Sequence, residues 1–511
     1  MANQDAADPS AAASVERPNA PIATRKQSSD REDSAEAAAR EPLLARLRET
    51  LAPERVIADS ERLRLLARDF LSPWRAVPAD VSPPQTPLAA VRPTSTAEVA
   101  AVVRVAAAAG VPLVELGGGT GLMGGARSVQ PGIVLDLRGL NRIIAISAED
   151  RCVHVEAGVV LADLGAALEP HGLIVGHDPW TYPIATVGGT ISTNGLGYLG
   201  GKYGPMGDQT LGLTVVLANG AIVTTRPAQR SSTGPRLRAL FAGAEGTLGV
   251  ITEAALRVFP RPEAEKLTAY RFAGFDEGFR AIQALAAAGI APAVLDFGQT
   301  YAGERHGRSV VTPTGAPGLL ILGFHGLAEE VKAVHRRARA LLEAHGAERL
   351  PGKRARRFWR ERHVVAEEIR ARQQAEEVSP DWLPTGALFD FAHIWLPPSQ
   401  ALRFKAAAER LLTEHGVSIG EWGLWHGPDL FSVTMFRNAP DTAEREAFAA
   451  GIDALLRLAQ DMGGSMEYCH GAGLRLAHLM PRELGSGMDL LRDIKVALDP
   501  GGLLNPGKLG L

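Results

Sequence analysis

The stretch LGGGTGLMGGA, Leu116 to Ala126, holds six glycines in the nine residues from Gly117 to Gly125, and its reading decides the fold. Within it Gly119-Thr120-Gly121-Leu122-Met123-Gly124 matches GxGxxG, the dinucleotide fingerprint. That fingerprint works only where a helix opens directly behind it, because the pyrophosphate sits on the helix N-terminus. Here Ala126–Gln130 runs into Pro131-Gly132 and a further strand-like GIVLDL, which leaves no room for a useful helix and excludes a Rossmann NAD site. A P-loop is excluded too, since Gly201-Lys202 is followed by Tyr203 with no glycine five positions before Gly201. The glycines still permit positive φ and let successive backbone N–H groups converge on an anion.

Working outward, Ser95 and Glu98 form a capping-box pair ahead of an apolar stripe of Val99, Val102, Val103 and Ala106, so a helix is expected up to Gly110. Strand-like runs follow at Pro112–Leu116, Gly132–Leu137, Val153–Ala157, Leu213–Ala218 and Ala221–Thr225, with Asn219-Gly220 as a hairpin turn between the last two. Further glycine and hydroxyl loops lie at Asp178-Pro179, Thr186–Gly189, Ser192–Gly195 and Glu245–Thr252. Beyond Pro260–Pro262 the texture becomes α+β, with charged helices expected at Glu329–His345 and Lys353–Glu377 and five of the seven tryptophans. Glycine-rich loops return from Asp461, around a helix-like Gly485–Leu498.

A chain of 511 residues, 46% hydrophobic and 22% charged, can bury two or more cores. With 54 basic against 57 acidic residues it lacks the surplus that neutralises phosphates along nucleic acid. Two cysteines, Cys152 and Cys469, build neither a disulfide framework nor a Cys-rich zinc site. No run approaches the roughly 18 apolar residues of a membrane span. Residues 1–40 carry no apolar periodicity and no signal peptide, and are expected to be a disordered tail on a cytoplasmic protein.

Taken together, LGGGTGLMGGA, HDPWTYPIATVGGTISTNGLG, KYGPMGDQTLGLTVVLANG and EGTLGVITEAALRVFPRPE resemble, in order and spacing, the flavin domain of the FAD-linked oxidases, the vanillyl-alcohol-oxidase/PCMH-type superfamily. The ending, CHGAGLRLAHL followed by IKVALDPGGLLNPGKLG, is similar to that of its D-lactate dehydrogenase/glycolate oxidase branch. The resemblance covers roughly residues 42–511 and is diffuse between 265 and 460. It implies an α+β fold with a two-subdomain FAD-binding domain over 41–262, a substrate or cap domain over 263–460, and a segment over 461–511 that returns to the flavin. It also implies that Gly117, Gly118, Gly119, Thr120 and Gly121 cradle the pyrophosphate of FAD, with Gly124 and Gly125 near the ribityl chain. Asp178, Thr186, Gly188, Gly189, Ser192 and Asn194 would line the ribityl and ring region. Glu245, Gly246 and Ile251 would approach the adenine, and Asn505 would reach the flavin from the C-terminus. The first glycine loop lacks the histidine that covalent members use, so non-covalent FAD is expected.

Four residues are candidates for the chemistry. His470 stands where the branch has the His of EHGxG and suits a base, with an ordinary pKa of about 6.5. Arg362, in FWRERHVVAE, resembles a carboxylate-clamping arginine, a task that suits the bidentate guanidinium fork. Tyr468 and Arg475 flank His470 and are candidates for binding a phenolate or carboxylate. The branch's metal pattern is broken: its two ligand histidines align with Leu424 and Phe431 and its glutamate with Cys469, leaving His426 alone, so no metal is expected. Trp382, Trp395, Trp422, Trp425 and Phe431 are then either the walls of a pocket for an aromatic substrate or ordinary core.

These features imply an FAD-dependent, metal-independent oxidoreductase that removes hydride from a hydroxyl-bearing carbon of a small molecule. The electron acceptor is left open among oxygen, a quinone, a cytochrome and an electron-transfer flavoprotein. Two alternatives share the flavin domain: an FAD-dependent transferase like alkylglycerone-phosphate synthase, and a redox-silent flavin-binding protein. The transferase carries a run of histidines where this chain has Tyr468-Cys469-His470.

Overall fold

The computed structural model describes residues 40–71, 75–77, 81, 84–300, 316–374, 387–438 and 441–511; the N-terminal tail and Trp382 lie outside them. The capping signal at Ser95 is realised. Its hydroxyl accepts from Glu98 N at 3.2 Å and helix Thr96–Ala109 follows, ending at Gly110 in the left-handed region with φ 65°. The reciprocal bond differs slightly from a strict capping box, because Glu98 Oε2 accepts from Thr94 N at 2.7 Å. This helix buries Val99, Val102, Val103 and Ala106 against a small sheet ordered Val56–Ile57, Ala89–Val91, Ile133–Asp136 and Leu113–Leu116, whose last three strands are parallel.

A second, antiparallel sheet runs in the order Ile143–Ser147, Cys152–Glu156, Val250–Arg257, Thr210–Val216 and Ile222–Thr224. Every residue of Thr210–Val216 is buried, since the strand is covered on both faces. It turns back at Gly220, φ 76°, where Asn219 Oδ1 accepts from Ala221 N. From Gly117 to Gly132 the chain forms turns and bends with no helix, as the excluded Rossmann reading requires.

A third sheet begins at Ala264 and is antiparallel throughout. Its order is Glu348–Leu350, Ala264–Phe272, Gly318–Gly326, Val294–Thr300, Ser418–Trp425, Leu430–Asn438 and Ala387–Trp395. Helices Phe275–Ala287, Ala328–Ala344, Ala401–Glu414 and Thr442–Asp461 bury their apolar stripes in its core. The expected single helix from Lys353 is two, Lys353–Glu361 and Val364–Gln374. The break falls where Arg362 and His363 turn toward Asp178, at 2.9 and 2.8 Å.

The lobes are tied by a buried ionic knot. Asp390, on strand Ala387–Trp395, accepts from Arg75 at 2.7 Å and Arg475 at 2.5 Å and from Ala76 N at 2.9 Å. Arg75 also donates to Leu122 O inside the glycine stretch, and Arg475 to Ala76 O. The C-terminus closes the structure: Leu504 bridges to Leu113, and Asn505 N donates to Leu113 O at 2.8 Å.

Candidate active site

A cleft of about 1410 Å³, counting the part open to solvent, runs between the first two sheets and opens toward the third. Fourteen of the residues singled out for the cofactor line it: Gly117, Gly118, Gly119, Thr120, Gly121 and Gly125; Thr186, Gly188, Gly189 and Ser192; and Glu245, Gly246, Ile251 and Asn505. The glycines are a packing necessity at the loop's turning points. A Cβ on Gly118 would lie 2.5 Å from Ile184 O, and one on Gly117 2.4 Å from Thr186 Oγ1, so the loop and the Ile184–Gly189 segment meet at distances only glycine permits.

Three expected residues do not line the cleft. Gly124, φ 82°, packs against Leu71 and Leu474. Asn194 holds Gly207 N through Oδ1 at 2.9 Å and belongs to a separate cleft with Arg230, Arg236, Arg238 and Arg257. Asp178 is spent on Arg362 and His363.

The same accounting corrects the chemistry. Arg362, besides Asp178, donates to Trp359 O and lies over the Trp359 ring at 3.8 Å, outside the cleft lining. Arg475 is buried in the Asp390 knot, where its guanidinium serves two lobes and is not turned to the cleft. Tyr468 is buried behind His393, ring centroids 5.4 Å apart, and also lies outside the lining.

His470 does line the cleft, and the way it gets there explains what accompanies it. The chain at Ser465 pairs with Trp395, and Tyr468 N donates to His393 O at 3.1 Å, so this segment runs along the edge strand Ala387–Trp395. Glu467 Oε1 then accepts from Cys469 N and His470 N at 2.7 and 3.0 Å, tightening a turn. Glu245 Oε1 pins the next residues by accepting from Ala472 N and Gly473 N. His470 Nδ1 therefore lies 3.4 Å from Glu467, and its ring meets that of His393 edge-on at 4.6 Å.

Electrostatics separate the two rings. Burial works against a charged His470, yet Cys469 and Glu467 outweigh it and push the imidazole up to about 10. Burial would raise Glu467, but His470 overrides it and holds the carboxyl down at about 2. His393 goes the other way, lowered by burial and by His470 to about 3, so it stays neutral. The ordinary pKa expected for His470 is thus replaced by a carboxylate–imidazolium pair beside a neutral imidazole. Donor atoms of His393, Glu467 and His470 all lie within 4.8 Å of one another. Leu424 and Phe431, expected to stand in place of metal-binding histidines, face each other across two strands in the core.

Among the tryptophans, Trp422 and Phe431 are core, and Trp395 is an exposed donor to Asp429. Trp425 lines the cleft, stacked on Tyr198 at 5.4 Å, with Trp180 also in the wall. Sequence reasoning missed Glu115, His177, Trp180, Tyr198, His393 and Glu467. His393 had a signal: in Phe389-Asp390-Phe391-Ala392-His393 it alternates onto the face of Phe389 and Phe391. Glu467 stands one turn before His470, at i,i+3.

Comparison with known proteins decides the family. Residues 87–226 match an FAD binding domain, and residues 261–509 match the FAD linked oxidases, C-terminal domain. The chain belongs to the FAD-linked oxidases. D-lactate dehydrogenase of Archaeoglobus fulgidus is 30% identical over 433 residues, 82% of this chain and 90% of that protein. Glycolate oxidase subunit GlcD of Bacillus subtilis is 29% identical over 427 residues, 83% and 89%. In fold, 4-ethylphenol oxidase from Gulosibacter chungangensis, in its isoeugenol complex, superimposes with a TM-score of 0.73 at 19% identity, covering 93% of this chain and 97% of that one. This FAD-linked oxidase is therefore an FAD-dependent oxidoreductase of the PCMH-type fold. Among its described residues, no helix is long and apolar enough to cross a membrane.

The cleft fits the cofactor. Thr186 Oγ1, Glu245 Oε2, Asn505 Oδ1, His177 Nδ1 and both carboxyl oxygens of Glu115 are buried with no hydrogen-bond partner among the described residues. All belong to residues that line the cleft, beside a glycine loop able to take an anion.

Proposed function

We propose that this enzyme oxidises a hydroxyl-bearing carbon, in a 2-hydroxy acid or a bulkier aromatic alcohol, without a metal ion. FAD, when bound in the glycine cleft, supplies the hydride acceptor; the protein must orient the substrate, exclude water and take up the hydroxyl proton. The observation that carries the reading is His470 on the cleft wall, paired with Glu467 and packed on neutral His393. The pair makes His470 a strong base that holds a proton at neutral pH, so its turn as acceptor requires the neutral ring. Glu467 is its positioning residue, accepting from His470 N in the turn that presents the ring, with its carboxylate 3.4 Å from Nδ1.

His393, Glu467 and His470 bring three ligand atoms within 4.8 Å of one another, an arrangement that could hold a metal ion, so metal analysis of the purified protein tests the metal-free reading. Trp425, Tyr198 and Trp180 form an aromatic wall, which favours a substrate with a large apolar or aromatic face. FAD is held non-covalently, by the phosphate loop and the unpartnered polar atoms around it.

The test is an anaerobic visible spectrum during additions of D-lactate, D-2-hydroxyglutarate, mandelate and vanillyl alcohol. Bleaching by any of them supports hydride removal from a C–OH group, and mandelate or vanillyl alcohol should act best. A His470→Ala variant should keep FAD and lose bleaching by about 10²-fold or more. Bleaching at the wild-type rate in that variant would remove His470 from the mechanism.

A further inference from the structure

Glu115 is out of place by every rule that shaped its surroundings. It sits in Leu113-Val114-Glu115-Leu116, a strand of the parallel part of the first sheet whose other three side chains are buried and apolar. Both of its carboxyl oxygens are buried without a partner. The two lysines whose charge reaches it are already committed. Lys495 Nζ donates to Thr247 O, Asp499 Oδ2 and Leu504 O, which uses all three of its protons. Lys508 Nζ donates to Arg127 O and Pro506 O.

The neighbourhood makes room for this carboxyl. A Cβ on Gly246 would lie 2.4 Å from Glu115 Oε2, so the glycine, φ 78°, leaves the space the side chain occupies. Glu115 thereby becomes part of the cleft wall, together with Leu137, Gly249 and Ile251. These all come from the strands of the flavin lobe or the residues directly beside them. The residues that handle substrate chemistry, His393, Trp425 and His470, come from the third sheet and the C-terminal loop. The redox ring of FAD must meet those groups, and the glycine loop Gly117–Gly121 takes the pyrophosphate. The half of the cofactor left for the wall around Glu115 is the adenosine.

We infer that Glu115 is a specificity residue for FAD, accepting hydrogen bonds from the adenosine half of the cofactor. A buried carboxyl with no partner is costly to keep, and a leucine would complete the strand at no such cost. Burial also pushes this carboxyl up to about 8, so at neutral pH the group has a proton to donate as well as an oxygen to accept. The inference rests on FAD binding in the cleft and is independent of which substrate is oxidised.

The experiment is a titration of apoprotein, by flavin fluorescence and calorimetry, with FAD, FMN and ADP, on wild type, Glu115→Leu and Glu115→Gln, alongside apoprotein melting curves. FMN carries no adenosine and ADP carries no flavin. Glu115→Leu should weaken FAD and ADP together by about tenfold, the scale of a lost buried hydrogen bond or two, and leave FMN within about twofold. Its apoprotein should melt no lower than wild type, because an unpartnered carboxyl has been removed. Glu115→Gln, which keeps an acceptor and a donor, should fall between and serves if the leucine variant does not fold. FAD and ADP affinities unchanged in a folded variant, or FMN weakened in parallel with FAD, would overturn the assignment.

Discussion

The pairing of His470 with Glu467 predicts how the reductive half-reaction depends on pH. With its imidazole pushed up to about 10, His470 holds a proton at pH 7. If the neutral ring takes the hydroxyl proton, flavin reduction at low substrate should climb about tenfold per pH unit from 7 to 9 and level near 10. Glu467→Gln removes one of the two groups that raise it, and burial then pulls the ring back toward its ordinary 6.5. The rising limb should move down by about one pH unit or more, with part of the gain in neutral ring offset by its weaker basicity. The assay is anaerobic stopped-flow bleaching of the flavin across pH 6 to 10.5, with FAD occupancy checked at each pH. A wild-type profile flat from 7 to 9, or one that falls as pH rises through 10, would show that His470 does not work as the acceptor. An unmoved limb in Glu467→Gln would show that Glu467 does not set its basicity. Stability carries the opposite sign for the same ring: its raised pKa favours the folded state fully below about 6.5 and that contribution is lost as pH rises through about 10. The lowered Glu467 contributes above about 4.5 and loses its share as pH falls through about 2.

Other perturbations test the rest of the site. Gly189→Val should purify folded but with FAD weakened at least about tenfold, because the added Cβ meets only Thr186 Oγ1, at 3.2 Å, and otherwise enters the cleft. Gly118→Val should instead lose folded protein, since its Cβ would strike Ile184 O at 2.5 Å; equal melting temperatures for the two would contradict this packing. Arg475→Met should cost about 1–3 kcal/mol of stability, by removing its bonds to Asp390 and Ala76 O while Arg75 still pairs Asp390, and leave the KM of the folded fraction within about twofold. A raised KM with unchanged melting would restore Arg475 to the substrate. Dialysis against EDTA should leave the rate of flavin bleaching unchanged, and metal analysis should find no stoichiometric divalent ion; loss of activity restored by one would contradict the metal-free site.

How much of this was legible in the sequence depended on the range of the forces involved. Short-range signals were sufficient for the flavin lobe. Ser95 caps a helix through a residue three positions away, Asn219-Gly220 turns a hairpin, and glycines mark the places where two backbones meet. The third sheet was read only as α+β texture, because most of its strands pair across connections of tens of residues, although Ser418–Trp425 and Leu430–Asn438 are joined by the short turn His426–Asp429. The candidate catalytic residues are placed differently for the same reason. His470 was placed by a local motif. Arg362 was singled out by the resemblance of FWRERHVVAE and Arg475 by its place beside His470, and their partners Asp178 and Asp390 lie 184 and 85 residues away.

The structure therefore sorts polar residues by a criterion the sequence does not display, namely whether their bonding capacity has been spent inside the protein. Asp178, Asn194, Arg362 and Arg475 are chemically suited to a ligand, but each already has protein partners, and release would leave a buried or half-buried charge or amide to be satisfied elsewhere. Glu115, Thr186, His177, His393, Glu245 and Asn505 each keep at least one buried atom without a partner, and all of them line one cleft. A fold selected for stability alone would have replaced such groups or paired them. Seven of the sixteen described residues with such an atom meet along one glycine-walled cleft, a physical argument for an extended polar cofactor there, independent of the family match. It also separates the two kinds of error made from sequence: Arg475 was overvalued because its partner was invisible, and Glu115 was overlooked because its lack of one was.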